Sequence, residues 1–201
     1  MTPRKPKLVT EICILAGGLS SRMGRDKSRI RIGRRTLLGH IRAVAAQLHL
    51  PVHVLRRDAV QRCGPLGGIY TALSRSRADA ILFLACDMPF VSTAFLKQIL
   101  RIHRASHLPV FAVHNRLVGL PCILHRESAL PIVSCEIAKS RLSLQSLARI
   151  LKAKTARPTS NPSRQLLNIN TPADLQIARR TATHLKPNVQ PQGQRLAKTP
   201  T

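Results

Sequence analysis

Residues 11–27 read EICILAGGLSSRMGRDK. Glu11–Ala16 is a short apolar run carrying two β-branched isoleucines, and it predicts a buried strand. The strand leads straight into a loop with glycines at 17, 18 and 24. Glycines let the backbone come close to a ligand, and exposed loop amides suit phosphate oxygens. Arg22 and Lys27 add positive charge matched to a triphosphate, Lys27 as a mobile point charge. The loop is not a P-loop, because G-x-x-x-x-G-K-[ST] is not satisfied, and it is not G-x-G-x-x-G.

After this loop, the apolar residues at 37, 38, 41, 44, 45 and 48 recur at helical spacing over Thr36–Leu48. A second short strand is expected over Val52–Leu55. The stretch Cys63-Gly-Pro-Leu-Gly-Gly68 is turn chemistry opening a helix at about Ile69–Ser74. Ala80–Cys86 (AILFLAC) is continuously apolar, as a central parallel strand covered on both faces must be. A helix follows over Ser92–His103 with Ser92 as N-cap. Further strands are expected over Pro109–Val113, Leu120–Leu124 and Gln165–Ile169, with helices over Ser143–Leu151 and Thr171–Thr183. Strands alternating with helices imply an α/β sandwich with a mostly parallel sheet. Ligands in such folds bind beyond the C-terminal ends of the strands, so the loops after EICILA, AILFLAC and LLNI are expected to share one site.

Length and composition narrow the reading further. A chain of 201 residues suffices for one domain. Residues 1–10 form a basic N-terminal extension, 11–184 the folded domain, and 185–201 a basic tail without periodicity, expected to be disordered. The net charge of +25 attracts anions without saying which. Nucleic acid is an unlikely partner, since four Phe, one Tyr and no Trp leave little for a stacking platform. Five cysteines without a C-x-x-C pair favour a reducing cytosol over a disulfide scaffold. No signal peptide or membrane span is evident, which predicts a cytoplasmic protein with no membrane contact.

Only eight carboxylates stand against this basic background. Asp87, in Leu84-Ala-Cys-Asp-Met-Pro89, ends the apolar strand, where a carboxylate sits at the ligand edge of the sheet. It suits Mg²⁺, a hard cation that takes oxygen ligands and bridges phosphates; the alternative is an Asx turn ahead of Pro89. In Asn168-Ile-Asn-Thr-Pro-Ala-Asp-Leu175, Asp174 reads as a capping-box acid. Asn168 and Asn170 either orient phosphate and metal-bound water or close a turn.

Taken in order, LAGGLSSRMGRDK, GPLGGI at 64–69, CDMP at 86–89 and NINTPADL at 168–175 resemble the molybdenum cofactor guanylyltransferase family. The resemblance spans about residues 11–180. It implies a Rossmann-like three-layer domain that binds GTP on its first loop. Leu15, Ala16, Gly17 and Gly18 would meet the nucleotide, Lys27 and Arg22 its phosphates, and Asp87 the Mg²⁺. Asp58 falls where the family carries a nucleotide-binding acid, and Arg56 and Arg57 stand about where it often has an asparagine. The implied reaction moves GMP from GTP to the phosphate of molybdopterin, with Arg22, Lys27 and Asp87 as the catalytic groups. Transient contact with molybdoenzymes or cofactor chaperones would follow. A cytidylyltransferase for the same cofactor, another small-molecule nucleotidyltransferase, and a basic nucleic-acid-binding protein are the rival readings.

Overall fold

The computed structural model describes residues 8–17 and 27–183. Strand β1 (Thr10–Leu15) forms in the apolar run, and its side chains alternate between two cores. Ile12 and Ile14 enter one, Cys13 the other. The same alternation holds for β5 (Ala80–Ala85), with Ala80, Leu82 and Leu84 on one face and Ile81 and Phe83 on the opposite face. A strand apolar on both faces must be covered on both faces.

Helix α1 (Leu37–Ala46) and helix α3 (Thr93–Ser106) cover the first face, with Ile41, Phe95 and Ile99 among the buried side chains. Helices α2 (Gly64–Arg75), α4 (Arg126–Ala138) and α5 (Leu144–Ile150) cover the second, through Ile69, Val133 and Leu147. The result is a three-layer α/β sandwich.

The six-stranded sheet includes β4 (Val52–Leu55), β6 (Val110–His114), β7 (Leu117–His125) and β8 (Lys154–Ala156), in the order β4-β1-β5-β7-β6-β8. Strand β7 alone runs against the others, so the sheet is mostly parallel as expected. Register then places the site. Leu15 pairs with both Leu55 and Ala85, so β1, β4 and β5 end level and release their loops at one edge. Because Phe83 pairs with Cys122 on the antiparallel β7, the start of β7 lies at that same edge.

Three differences from the sequence reading have physical causes. The predicted strand over Gln165–Ile169 does not form. Asn161 and Pro162 start the short helix α6 (Pro162–Gln165), with Pro at a first-turn position that has no amide bond to lose. The chain then passes Asp87 as a single connector, Ile169 N–H donating to Asp87 O at 2.9 Å.

Helix α2 starts at Gly64 rather than Ile69, so GPLGG lies inside it. A Cβ at Gly67 would stand 2.7 Å from Val60 O and one at Gly68 3.0 Å from Leu15 Cδ2. These glycines are there for close approach, and their low helix propensity masks the helix in the sequence. Helix α4, over a stretch the sequence reading leaves unassigned, contains Pro131 and is held by packing on α2 and β7. A small hairpin, β2 (Arg31–Ile32) and β3 (Arg35–Thr36), turns at Gly33 with φ 58°. It shares a third core with α7 (Pro172–Thr183) through Ile32, Leu37, Ile169 and Ala178.

No helix among the described residues is long and apolar enough to cross a membrane. The tail at 185–201 and most of the 1–10 extension lie outside the described residues. No disulfide forms among the described residues, and Cys13, Cys86 and Cys122 are buried.

Candidate active site

The level strand ends open onto a cleft of about 740 Å³. Leu15, Ala16 and Gly17 form one wall, Asp58, Gly64 and Gly68 the neighbouring one, and Val118, Gly119 and Leu120 the far one. Lys27, Asp87, Asn168 and Asn170 lie along it too. Eight of the sequence-predicted site residues are therefore brought together. The other two, Gly18 and Arg22, lie outside the described residues.

Asp87 follows β5 as expected, half-buried, with its carboxylate facing Lys27. Lys27 Nζ stands 3.9 Å from Asp87 Oδ2 and donates to Asn170 Oδ1 at 2.7 Å. Asn170 is itself fixed, because its backbone N–H donates to Asp174 Oδ2 at 3.0 Å. Asp174 also accepts from Thr171 N–H at 2.8 Å and Thr171 Oγ1 at 2.9 Å, while its own amide donates back to Thr171 Oγ1. This is the reciprocal capping box that the TPAD sequence predicts, and it seats the lysine's acceptor. Burial alone would raise the Asp174 carboxyl, but the bonds from Thr171 and Asn170 outweigh it and hold the group below its ordinary value.

Burial pushes the Asp87 carboxyl above its ordinary value, against the opposing pull of Lys27 and of its own backbone amide. The cost of ionising it in place is thus only partly offset by the lysine, and a further cation would be welcome there.

Asp58 sits on the loop after β4. Its Oδ1 lies 3.3 Å from where a Cβ would stand on Gly17 and on Gly68, and its Oδ2 3.4 Å from that point on Gly67. Three glycines make the room for this carboxylate. Thr71, buried on α2, accepts from Ala59 N–H at 2.8 Å and donates to Gly67 O at 2.7 Å, which fastens the Asp58 loop to the helix. Burial raises the Asp58 carboxyl as well. Burial pushes the Cys13 thiol up to about 12 and raises the Cys122 thiol as well.

Sequence reasoning missed Arg62, Pro65, Val118, Gly119 and Leu144, which also line the cleft. Arg62 had a signal, as a cation just before the GPLGG turn. Residues 118–119 had none, because the apolar run that marks β7 begins only at Leu120.

A family model described as the MobA-like NTP transferase domain matches residues 12–55 and 42–158, well over half of the chain. The chain belongs to the MobA-like NTP transferase family. Among relatives of this transferase is a probable molybdenum cofactor guanylyltransferase of Flavobacterium johnsoniae. It is 29% identical over 180 residues, with 81% of this chain and 92% of that protein covered. The molybdenum cofactor guanylyltransferase of Xanthomonas euvesicatoria is 29% identical over 173 residues, covering 79% and 88%.

Solved structures share the MobA-like fold. Molybdopterin-guanine dinucleotide biosynthesis protein A of Archaeoglobus fulgidus matches with a TM-score of 0.68 at 18% identity, over 87% of this chain and all of that one. The 2-C-methyl-D-erythritol 4-phosphate cytidylyltransferase of Thermus thermophilus matches with a TM-score of 0.63 at 14% identity, over 85% and 98%. The chain is thus a nucleotidyltransferase by family and fold.

Proposed function

We propose that the cleft transfers GMP from GTP to the phosphate of molybdopterin, releasing pyrophosphate and forming a guanine dinucleotide cofactor. The observation that carries the reading is likeness over most of the chain to relatives named for that reaction, joined to a cleft that groups Asp87, Lys27 and Leu15–Gly17 at one sheet edge.

The acceptor phosphate attacks the α-phosphorus, the bond from that phosphorus to the bridging oxygen breaks, and pyrophosphate leaves. A phosphate monoester is largely dianionic at neutral pH, so the reaction needs no strong general base. The residues act by position and charge. Lys27, seated beside Asp87 and Asn170, offers its ammonium to the phosphates. Arg22 adds a second cation from the first loop. The walls at Leu15–Gly17 and Gly64–Gly68 exclude water from one side of the nucleotide.

The donors present fit Mg²⁺. Asp87 is a hard, part-desolvated carboxylate, and among the described residues no group of three His, Cys, Asp or Glu forms a full protein cage. That pattern, one carboxylate with phosphates and water completing the shell, is how magnesium is usually held on nucleotides. When bound, the ion supplies charge neutralisation along the triphosphate. Asp58 offers two acceptors on one plane, which match the N1–H and N2–H donors of guanine.

A cytidylyltransferase is the second reading, favoured by the fold shared with a CTP-using enzyme class. The test is thermal stabilisation of the protein by GTP, CTP and ATP at equal concentration with Mg²⁺. GTP is expected to give the largest shift. A larger shift with CTP would move the assignment to the cytidine form of the cofactor.

A further inference from the structure

No aromatic ring lines this cleft, so contact with the face of a nucleobase there falls to another flat or apolar group. Protein sites hold nucleobases face-on with aromatic side chains or with the guanidinium plane of arginine. Of the chain's four Phe and one Tyr, Phe83, Phe95 and Phe111 are buried in the two main cores. Phe90 packs under the guanidinium of Arg164 at 5.3 Å, and Tyr70 packs against the α2-side core. None of the five lines the cleft. Residues 18–26, GLSSRMGRD, bring no ring either.

The cleft's charged side chains among the described residues are Lys27, Asp58, Arg62 and Asp87. Lys27 is engaged with Asn170 and Asp87. Arg62 is then the planar cation of the described cleft, and it shares the β4–α2 loop with Asp58.

The backbone of Arg62 is also informative. Eight non-glycine residues among those described have a positive φ. His49, His107, Ser140 and Lys152 stand at or just beyond helix C-termini, Asn115 and Arg116 make the β6–β7 turn, and Asn161 precedes α6. These are routine places for the left-handed conformation. Arg62, at φ 61°, lies in the turn just ahead of α2 and is the one of the eight that lines the cleft.

We propose that Arg62 lays its guanidinium on the face of the nucleotide base while Asp58, from the same loop, meets its edge. The inference rests on reading the cleft as the nucleoside triphosphate site. Face contact is tolerant of the base, so Arg62 supplies affinity and Asp58 the choice between bases.

Three variants separate the possibilities: Arg62→Lys keeps the charge without the plane, Arg62→Gln loses the charge, and Arg62→Gly loses the side chain and relieves the backbone. Calorimetric titration with GTP·Mg²⁺ and GMP, and competition by guanosine, give the affinities. All three variants are expected to weaken all three ligands by a similar factor, on the order of tenfold. KM for GTP rises with little change in kcat, and lysine does not rescue. Arg62→Gly is expected to melt at or above the parent, which excludes damage to the fold as the cause.

If Arg62→Lys binds like the parent, or the loss grows with the number of phosphates and spares guanosine, Arg62 is a phosphate contact and the proposal is overturned. Unchanged affinity in all three variants overturns it equally. A parent that binds no nucleoside triphosphate would fail earlier, at the reading of the cleft, and takes this inference with it.

Discussion

Asp87 shows how function and stability pull apart at a single residue. Its carboxyl is raised by burial and only partly rescued by Lys27. The folded protein therefore binds this proton more tightly than the unfolded chain does. Stability from this group is greater at acid pH and falls as pH rises through the raised value, because ionisation then occurs in a desolvated site. Asparagine at 87 removes that cost. Asp87→Asn without ligands is expected to melt at or above the parent at neutral pH, with the gap closing on acidification. Thermal melts of both proteins across about pH 4 to 8 measure it. A variant that melts lower at neutral pH would mean that the Lys27 pairing outweighs desolvation.

Asp87 was legible because an apolar strand that ends in a carboxylate, in a chain with so few acids, marks the ligand edge. Asp79, at the other end of the same strand, has a structural duty that the sequence did not reveal: its Oδ2 accepts from Val9 N–H at 2.7 Å. Asparagine keeps an acceptor oxygen, so Asp79→Asn remains a sound control for Asp87.

Helix α2 is the element on which the site turns. Its glycines bring it against β1 and the Asp58 loop, and Thr71 locks that contact. A Cβ at Gly67 would stand 2.7 Å from a backbone oxygen, that of Val60, which cannot swing away as a side chain would. Gly67→Ala is expected to destabilise by about 1–3 kcal/mol and to weaken nucleotide binding as the Asp58 loop shifts. Gly119→Ala, in the cleft wall with nothing within 4 Å of its Cβ, is the control and is expected to leave the melting temperature near the parent's. Equal melting temperatures for the two variants would show that the loop yields without cost.

The elements that were legible are those whose apolar period matches their form. These are β1 and β5 as continuous runs, α1 and α3 as amphipathic stripes, and α7 through its capping box. The elements that were hidden break a local rule for a tertiary reason. Helix α2 carries glycines for close approach, α4 carries Pro131, and the Gln165–Ile169 segment is apolar because Ile169 is buried under α7, not because it pairs in a sheet.

The whole molecule carries a charge of +25, and among the described residues two carboxylates and two cations line its cleft. The field draws in anions of any kind and speeds their encounter. Selection among them falls to the cleft, and the chemistry to the groups around Asp87. On this reading the cleft moves a nucleotidyl group and not a single phosphoryl group. The most direct test incubates the full chain with molybdopterin, Mg²⁺ and GTP labelled at either the α- or the γ-phosphorus, and follows each label. The α label is expected to join the pterin product while the γ label leaves in pyrophosphate, and Asp87→Asn is expected to slow both on the order of a hundredfold or more while Asp79→Asn does not. Transfer of the γ label to the acceptor, or turnover by Asp87→Asn within a few-fold of the parent, would contradict it.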